Sequence, residues 1–312
     1  ALSYVIPKIE FETGVDTLRS DGWHVEVHPE VSGQYYFYPA SDEARAKAFL
    51  QYAYRKDLDA IWCARGGYGI THLLPLLEKM TAKRKPPKKT LLGYSDVTAL
   101  HEFVRKKWGW ETVHAPMPSL KTFSTLTMPE KNSYRGFFMD SLKHPHAFAQ
   151  TKHYLEWIAP MKAAKISAPL VGGNLAVWLA MAGTKYFPSA AGKILFIEEI
   201  GENVARINRY LHQLEQAGGF KGVKAIVLGD FMDCRDTVPM RIDPFDKDRK
   251  RMIPLRAAYP DQEALQFVFA ELSRRTKIPV AFGIPAGHGP NFHSLYLGKK
   301  YTLKKNGEFE IG

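Results

Sequence analysis

Three kinds of side chain in this sequence could together hydrolyse an acyl bond. Ser95 stands in the run Gly-Tyr-Ser-Asp, Glu198 and Glu199 close the apolar run Ile-Leu-Phe-Ile, and His288 lies between two glycines. A serine hydroxyl needs a base to become a nucleophile, and an imidazole needs a carboxylate to hold its tautomer and stabilise its cation. The sequence therefore contains the parts of a serine hydrolase, with the glutamate at position 198 or 199.

Two further features could bind the oxyanion that such a reaction forms. The turn Arg65-Gly66-Gly67-Tyr68-Gly69 follows an apolar run, and its glycines allow positive φ angles and a close backbone approach. Its N–H groups could form an anion-binding nest, and the N–H after Ser95 lies at the start of a predicted helix. The turn matches neither the phosphate loop nor the dinucleotide fingerprint, so a nucleotide-binding function is disfavoured.

Each of these residues also has a structural explanation. The glycine turn could simply connect a strand to a helix, and Ser95 or Asp96 could cap the helix that follows. His288 alone could be an exposed or structural histidine. The hydrolase elbow GxSxG is not met, because Val97 occupies the position of its last glycine.

The spacing of histidines and cysteines gives little support for a metal. His144 and His146 flank one proline without nearby cysteine or carboxylate partners, and the two cysteines, Cys63 and Cys234, lie far apart. We therefore expect no metal site and no disulfide scaffold.

Elements that could position these residues alternate along the first 120 residues. Strand-like segments at 25–28, 60–64, 90–92 and from 113 alternate with helical periodicity. The apolar run 60–64 is typical of a strand buried on both faces. This pattern predicts a doubly wound parallel sheet whose sites lie beyond the carboxyl ends of its strands.

The second half of the chain repeats the alternation after an aperiodic stretch. We predict an N-terminal α/β domain over 1–122, a linker over 123–166 and a second α/β domain over 167–312. Predicted strands occupy 194–197, 225–228 and 280–282, and predicted helices occupy 175–182 and 204–217. The charged, proline-punctuated segment 233–260 is interpreted as an exposed insertion.

Composition restricts the classes of function. The 312 residues are 45% apolar and 24% charged, which excludes disordered and low-complexity classes. No apolar run approaches the ~20 residues of a membrane-spanning helix. The formal net charge of +11 favours anionic partners. Because no nucleic-acid-binding motif accompanies the basic runs 83–89 and 247–251, we expect no nucleic acid partner.

Six motifs in fixed order resemble the LD-carboxypeptidase family of serine peptidases, which includes murein tetrapeptide carboxypeptidases and microcin C immunity peptidases. They cover most of the chain from 55 to 300. The motifs are Arg65-Gly66-Gly67-Tyr68-Gly69, Leu92-Gly93-Tyr94-Ser95-Asp96-Val97-Thr98-Ala99-Leu100, Gly172-Gly173-Asn174-Leu175, Ile194-Leu195-Phe196-Ile197-Glu198-Glu199 with Arg206-Ile207, Leu228-Gly229-Asp230-Phe231 and Gly287-His288-Gly289.

The resemblance implies a role for each matching residue. Ser95 would be the nucleophile, His288 the general base and Glu198 the carboxylate that orients it. The second domain would be of the swivelling type, with the active site at the domain interface. The oxyanion hole would use the backbone N–H groups of Asp96 and of Gly66 or Gly67. Substrate contacts are expected from Arg65, Tyr94 and Asn174.

The resemblance also implies an activity and its setting. We expect hydrolysis of the L–D peptide bond of a murein tetrapeptide, no metal or organic cofactor, and a homodimer. A microcin-type peptidase that stacks a nucleobase, with Trp157 as a candidate platform, and a non-catalytic murein-binding protein are the alternatives. We expect a cytoplasmic protein, with the periplasm left open because the chain starts at Ala1 rather than Met.

Two departures from the family pattern concern the ends of the chain. Family members begin with a strand ending in Ala-Pro-Ser, of which residues 1–5 hold at most a remnant. The family's Leu-Pro-Leu-Gly stretch after the histidine corresponds here to Leu295-Tyr296-Leu297-Gly298. Neither departure touches the three candidate catalytic residues.

Overall fold

A computed structural model of the chain describes residues 6–29, 33–36, 38–121, 123–133, 152–236, 240–245, 248, 250–254 and 260–312. The main helices are α1 (Lys8–Ser20), α2 (Asp42–Ala53), α3 (Ile70–Met80), α4 (Val97–Trp108), α5 (Leu175–Ala180), α6 (Val204–Gln216) and α7 (Asp261–Thr276). The strands are β1 (Ala60–Trp62), β2 (Thr90–Gly93), β3 (Glu111–His114), β4 (His153–Tyr154), β5 (Glu156–Ala159), β6 (Lys165–Asn174), β7 (Ile194–Ile200), β8 (Ala225–Met232), β9 (Met240–Ile242), β10 (Met252–Pro254), β11 (Val280–Phe282), β12 (Leu295–Leu297), β13 (Lys300–Lys304) and β14 (Glu308–Ile311).

The first sheet carries the turn in which Ser95 stands. Its order is β1-β2-β3-β12, with the first three strands parallel and β12 antiparallel to β3. Helices α2, α3 and α4 pack on one another beside it. The predicted N-cap is present at Ser41, whose hydroxyl oxygen accepts a hydrogen bond from the Ala44 N–H. The α/β class predicted for this part of the chain is confirmed.

The outer edge of the first sheet differs from the prediction. Residues 25–28 pair with no strand among the described residues, and all three residues of β1 are only half-buried. A cavity of about 570 Å³, lined by residues 22–28 and 57–64, lies beside β1. The predictions of a strand at 25–28 and of a run at 60–64 enclosed on both faces were therefore wrong. The residue pattern is strand-like, but no neighbouring strand completes the ladder.

The second sheet holds Glu198 in β7, and the loop that carries His288 follows its strand β11. Its order is β4-β14-β13-β6-β7-β8-β11-β5, with β6, β7, β8 and β11 parallel and antiparallel strands at both edges. The central strands are apolar and buried, as in the fully buried Phe196 and Val227. The two-domain α/β arrangement is thus confirmed, with a sheet in each half of the chain.

The two halves of the chain are connected by strands that join the sheets, as well as by the predicted linker. Strands β4 and β5, which lie inside the predicted linker 123–166, form the two outer strands of the second sheet. Strand β12, from the C-terminal part, completes the first sheet. The segment 233–260 contains the exposed antiparallel pair β9 and β10, in agreement with an exposed insertion. The domain boundaries at 122 and 167 stay predictions.

A close contact brings the first residues of α4 against the end of β6. The Thr98 hydroxyl accepts a hydrogen bond from the Asn174 N–H at 3.0 Å. Gly173 has a φ of +146°, and a Cβ atom there would lie 2.3 Å from Thr98 Oγ1. Only a residue without a side chain fits this approach. The helix that follows Ser95 is thereby fixed against the strand that neighbours β7, where Glu198 lies.

Candidate active site

Ser95 lies in a tight turn between β2 and α4. Its φ of +62° is in the left-handed region, which residues other than glycine rarely adopt. A Cβ atom at Gly66 would lie 2.7 Å from Ser95 Cβ, so the glycine turn closely approaches the serine. The Ser95 side chain therefore lies against the glycine turn, whose N–H groups are the predicted oxyanion donors.

The Asp96 side chain accepts a hydrogen bond from the residue after the glycine turn and does not cap its own helix, α4. No side chain caps α4, whereas Asp96 Oδ2 accepts a hydrogen bond from the Ile70 N–H at 2.9 Å. Ile70 is the first residue of α3 and directly follows the glycine turn. The alternative that Asp96 or Ser95 merely caps α4 through its side chain is therefore wrong. The buried carboxylate instead joins the serine turn to the neighbouring turn that carries Gly66 and Gly67.

Glu198 and His288 form a direct pair. His288 Nδ1 lies 2.7 Å from Glu198 Oε2, and the glutamate is fully buried at the end of β7. The Glu198 carboxylate accepts the Nδ1–H proton, which leaves Nε2 with the lone pair that a general base needs. Glu198 Oε1 makes no hydrogen bond within the described part of the chain. Of the two adjacent glutamates, the structure brings Glu198 to the histidine.

Glu199 points to the opposite side of β7, as successive residues of a strand do. Its carboxylate accepts hydrogen bonds from Asn174 Nδ2 at 2.9 Å, from the Ala176 N–H at 2.8 Å and from the Ile200 N–H at 2.9 Å. Burial raises its pKa to about 6, although these three donors favour the charged form. Glu199 therefore fastens the start of α5 to β7 and lies away from the histidine.

Both the oxygen and the nitrogen of the Asn174 side-chain amide make hydrogen bonds. Its Oδ1 accepts from the Val177 N–H and caps α5, while its Nδ2 donates to Glu199. The side chain is buried, with a 4% exposed fraction. A substrate contact of Asn174 stays a prediction, and the contacts observed here stabilise the local fold.

Asp230 is a site residue to which the sequence analysis gave no role. It lies near the end of β8, next to β7, and its Oδ2 accepts a hydrogen bond from the Gly289 N–H at 2.9 Å. Burial, with a smaller contribution from the negative charge of Glu198, raises the pKa of its carboxyl to about 6, although the hydrogen bond from Gly289 opposes that rise. The signal was present, because a carboxylate at the end of a strand adjacent to that of Glu198 reaches the same sheet edge.

Tyr94 connects the two halves of the site. Its buried ring lies 4.7 Å from the His288 ring and 5.0 Å from the Phe292 ring, measured between centroids. Burial raises the pKa of the Tyr94 phenol, and the positive charge of nearby Arg65 opposes that rise. The residue beside the nucleophile thus contacts the ring of the candidate base. Within the described residues, no hydrogen bond joins Ser95 Oγ to that ring, and such bonds commonly tighten only when substrate binds.

The remaining predicted features lie elsewhere. Trp157 is in β5, half-buried, and its indole N–H donates to the Lys305 carbonyl at 3.0 Å. His144 and His146 lie outside the described residues. Across the parts of the chain that the structure describes, no three His, Cys, Asp or Glu side chains are grouped so as to hold a metal ion. The same parts contain no helix with the length and apolar character needed to cross a bilayer.

Sequence comparison places both halves of the chain in one family. The model described as the LD-carboxypeptidase N-terminal domain matches residues 1–115, and that of the LD-carboxypeptidase C-terminal domain matches residues 167–303. A murein tetrapeptide carboxypeptidase of Pseudomonas aeruginosa is 27% identical over 93% of this chain and 89% of that protein. The microcin C7 self-immunity protein MccF of Escherichia coli is 29% identical over 96% of this chain and 86% of that protein.

Structure comparison agrees with these matches. A crystal structure of a muramoyltetrapeptide carboxypeptidase from Oxalobacter formigenes superposes with a TM-score of 0.74 at 26% identity, covering 99% of this chain and 96% of that one. The likeness therefore extends over both sheets.

Proposed function

Because the chain belongs to the LD-carboxypeptidase family, we propose that it is a serine-type carboxypeptidase that hydrolyses the L–D peptide bond of a murein tetrapeptide and releases D-alanine. The observation that carries this proposal is the 2.7 Å contact between Glu198 and His288, beside the strained turn of Ser95. The names of relatives that act on murein peptides support the same substrate class.

The proposed reaction assigns each step to a named atom. His288 Nε2 takes the proton of Ser95 Oγ as that oxygen attacks the carbonyl carbon of the scissile bond. The oxyanion accepts hydrogen bonds from the backbone N–H groups of Asp96 and of Gly66 or Gly67. His288 then gives the proton to the nitrogen of the leaving D-alanine, and the C–N bond breaks. Water, deprotonated by His288, hydrolyses the resulting ester and regenerates the serine.

The electrostatics of the site suit this reaction. Glu198 is fully buried and paired, so its negative charge stabilises the imidazolium that forms as the serine loses its proton. Arg65 lies near Tyr94 and the serine turn, and the whole chain carries a formal charge of +11. A positive field of this kind attracts the carboxylates of a murein stem peptide. Arg65 and Tyr94 are proposed to contact the substrate.

The deciding experiment is incubation with defined tetrapeptide and pentapeptide muropeptides, with lysine or diaminopimelate as the third residue. Mass spectrometry should show loss of one alanine from the tetrapeptide, and none when Ser95→Ala replaces the wild type. Ser189→Ala, which changes an exposed serine, serves as the matched control and should retain activity. A folded Ser95→Ala protein with near wild-type turnover would refute the mechanism.

The same assay separates the alternatives. An aminoacyl sulfamoyl adenylate cleaved in preference to the tetrapeptide would indicate the microcin-type activity, for which Trp157 was the candidate platform. The hydrogen bond of Trp157 to Lys305 and its place in β5 count against that platform. A tetrapeptide that is bound but recovered with its mass unchanged would indicate a non-catalytic murein-binding protein. A homodimer and a cytoplasmic location are proposed on the family resemblance and are tested by sedimentation and by cell fractionation.

A further inference from the structure

Three aromatic rings form a cluster directly beyond the glycine turn. Tyr38 and Tyr68 stack with their centroids 5.9 Å apart, and His72 meets Tyr38 at 6.2 Å and Tyr68 at 5.6 Å, edge-on in both cases. We call Tyr38, Tyr68 and His72 the aromatic cluster. Tyr68 remains 55% exposed despite these contacts, so a large aromatic surface faces solvent.

Tyr38 of the aromatic cluster is held in place by two contacts with its neighbours. The guanidinium of buried Arg45 lies 4.5 Å from the centroid of Tyr38, and Arg45 itself pairs with Asp42. A Cβ atom at Gly69 would lie 2.6 Å from the Tyr38 ring, so the turn and the ring are in close contact. An exposed ring that is already fixed loses little conformational entropy on binding a ligand, which favours a binding role over an incidental one.

The surroundings of the cluster indicate the chemistry of the ligand. A cavity of about 430 Å³ opens beside Tyr38 and His72, within the range of small-molecule sites. Its other lining residues combine hydroxyl and carboxylate oxygens with apolar surface: they are Tyr35, Ser41, Asp42, Glu43, Pro75 and Leu76. Aromatic faces pack on the C–H faces of a sugar ring, and carboxylates accept hydrogen bonds from its hydroxyls. A pyranose satisfies both features.

The distance between Ser95 and the aromatic cluster fits a stem peptide that carries a sugar. Gly66 touches Ser95, and Tyr68 is two residues further, so its Cα lies within ~8 Å of that glycine and its ring reaches several ångströms more. In a murein tetrapeptide, three residues separate the scissile bond from the sugar-bearing end, which spans on the order of 10 Å in extended form. The cluster is therefore within reach of the sugar when the scissile carbonyl is at Ser95.

We propose that the aromatic cluster is a glycan subsite that binds a pyranose ring of the sugar carrying the stem peptide. This inference rests on the proposed function, and it deepens that function by assigning the preferred substrate: a muropeptide that retains its sugar rather than the bare peptide. Tyr38 and His72 line the cavity beside the cluster, and Tyr68, which stacks on Tyr38, supplies the exposed aromatic surface next to that cavity.

The test compares one tetrapeptide with and without its N-acetylglucosamine–N-acetylmuramic acid disaccharide. The wild type should show a lower KM for the glycan-bearing substrate. Tyr68→Ala should reduce the ratio of kcat/KM for the glycan-bearing to the bare peptide by roughly threefold to tenfold, as expected for a lost stacking contact. Tyr68→Phe should keep that ratio. Tyr154→Ala, which removes a 68% exposed tyrosine on β4, is the matched control and should also keep it.

Failure of this inference is distinguishable from failure of the proposed function. Equal kcat/KM values of the wild type for the two substrates, or an unchanged ratio in Tyr68→Ala, overturn the subsite while the peptidase stands. If the wild type hydrolyses neither substrate, titration with the free disaccharide, followed by NMR, still decides. Shifts that Tyr68→Ala abolishes support the subsite. Absence of binding at millimolar disaccharide, or stronger binding of adenosine than of the disaccharide, overturns it.

Discussion

The carboxylate of Asp230 accepts a hydrogen bond from the backbone N–H of Gly289 at 2.9 Å and so holds the loop that carries His288. A Cβ atom at Gly289 would lie 2.5 Å from Asp230 Cγ, and one at Gly287 would lie 3.0 Å from Glu198 Oε2. Two carboxylates from adjacent strands, that of buried Glu198 and that of half-buried Asp230, thus contact the histidine loop. These contacts restrict the orientation of the imidazole.

Asp230→Ala should lower kcat about 10-fold to 100-fold, because loss of an outer hydrogen bond lets the histidine loop move. Asp230→Asn keeps an acceptor for Gly289 but removes a negative charge near His288, Glu198 and Tyr94. Loss of that charge weakens the stabilisation of the imidazolium that forms in the proposed reaction, so kcat of Asp230→Asn should also fall. Asp233→Asn, at an exposed residue, is the control. Steady-state kinetics of Asp230→Asn that coincide with those of the wild type would contradict this electrostatic role.

Glu198→Gln should reduce kcat by roughly 10³-fold to 10⁴-fold while leaving the fold intact. The amide is nearly isosteric, but it favours the wrong imidazole tautomer and no longer stabilises the cation. Glu199→Gln is the matched comparison, because Glu199 contacts Asn174 and two backbone N–H groups rather than His288. Steady-state kinetics should show the large loss only at position 198. Equal losses at both positions would argue that the pair acts as one unit.

Glu199 should make the stability of the protein depend on pH in the opposite sense to most carboxylates. Its folded pKa is about 6, above the unfolded value near 4.5. The folded state therefore binds the proton more tightly, so this group's contribution falls as the pH rises from about 4.5 to 6, by on the order of 2 kcal/mol. Urea unfolding of the wild type and of Glu199→Gln at several pH values measures it. The difference between their unfolding free energies should change within this window, and a constant difference would contradict the assignment.

Gly173→Ala should destabilise the protein by about 2–4 kcal/mol. The new Cβ would lie 2.3 Å from Thr98 Oγ1, and the φ of +146° is unfavourable for alanine. Gly183→Ala is the control for backbone strain alone, because its φ is +78° and nothing lies within 4 Å of the added Cβ. Thermal or chemical denaturation should show a clearly smaller loss at 183. Comparable losses would mean that the contact with Thr98 relaxes readily.

Local sequence patterns predicted those parts of the site that depend on local structure. Ser95 and the glutamates were found because small and polar residues followed apolar strands, and the α/β class followed from the same alternation. The edge partners of both sheets could not be predicted in this way. Residues 25–28 find no partner strand among the described residues, whereas the three-residue β12 does, since pairing depends on where distant strands lie. The alternative that Asp96 caps α4 failed for the same reason: the hydrogen-bond partner of its carboxylate, the Ile70 N–H, lies 26 residues away.

The crossing of β12 into the first sheet has a mechanical consequence for catalysis. The loop bearing His288 leaves the second sheet at Phe282 and enters the first at Leu295, so it is anchored in both. Any rotation of one sheet against the other must displace the imidazole relative to the serine. The separation of the proposed nucleophile and base therefore depends on how the two sheets pack on each other, and a substitution that loosens the β3–β12 ladder should slow the proposed reaction.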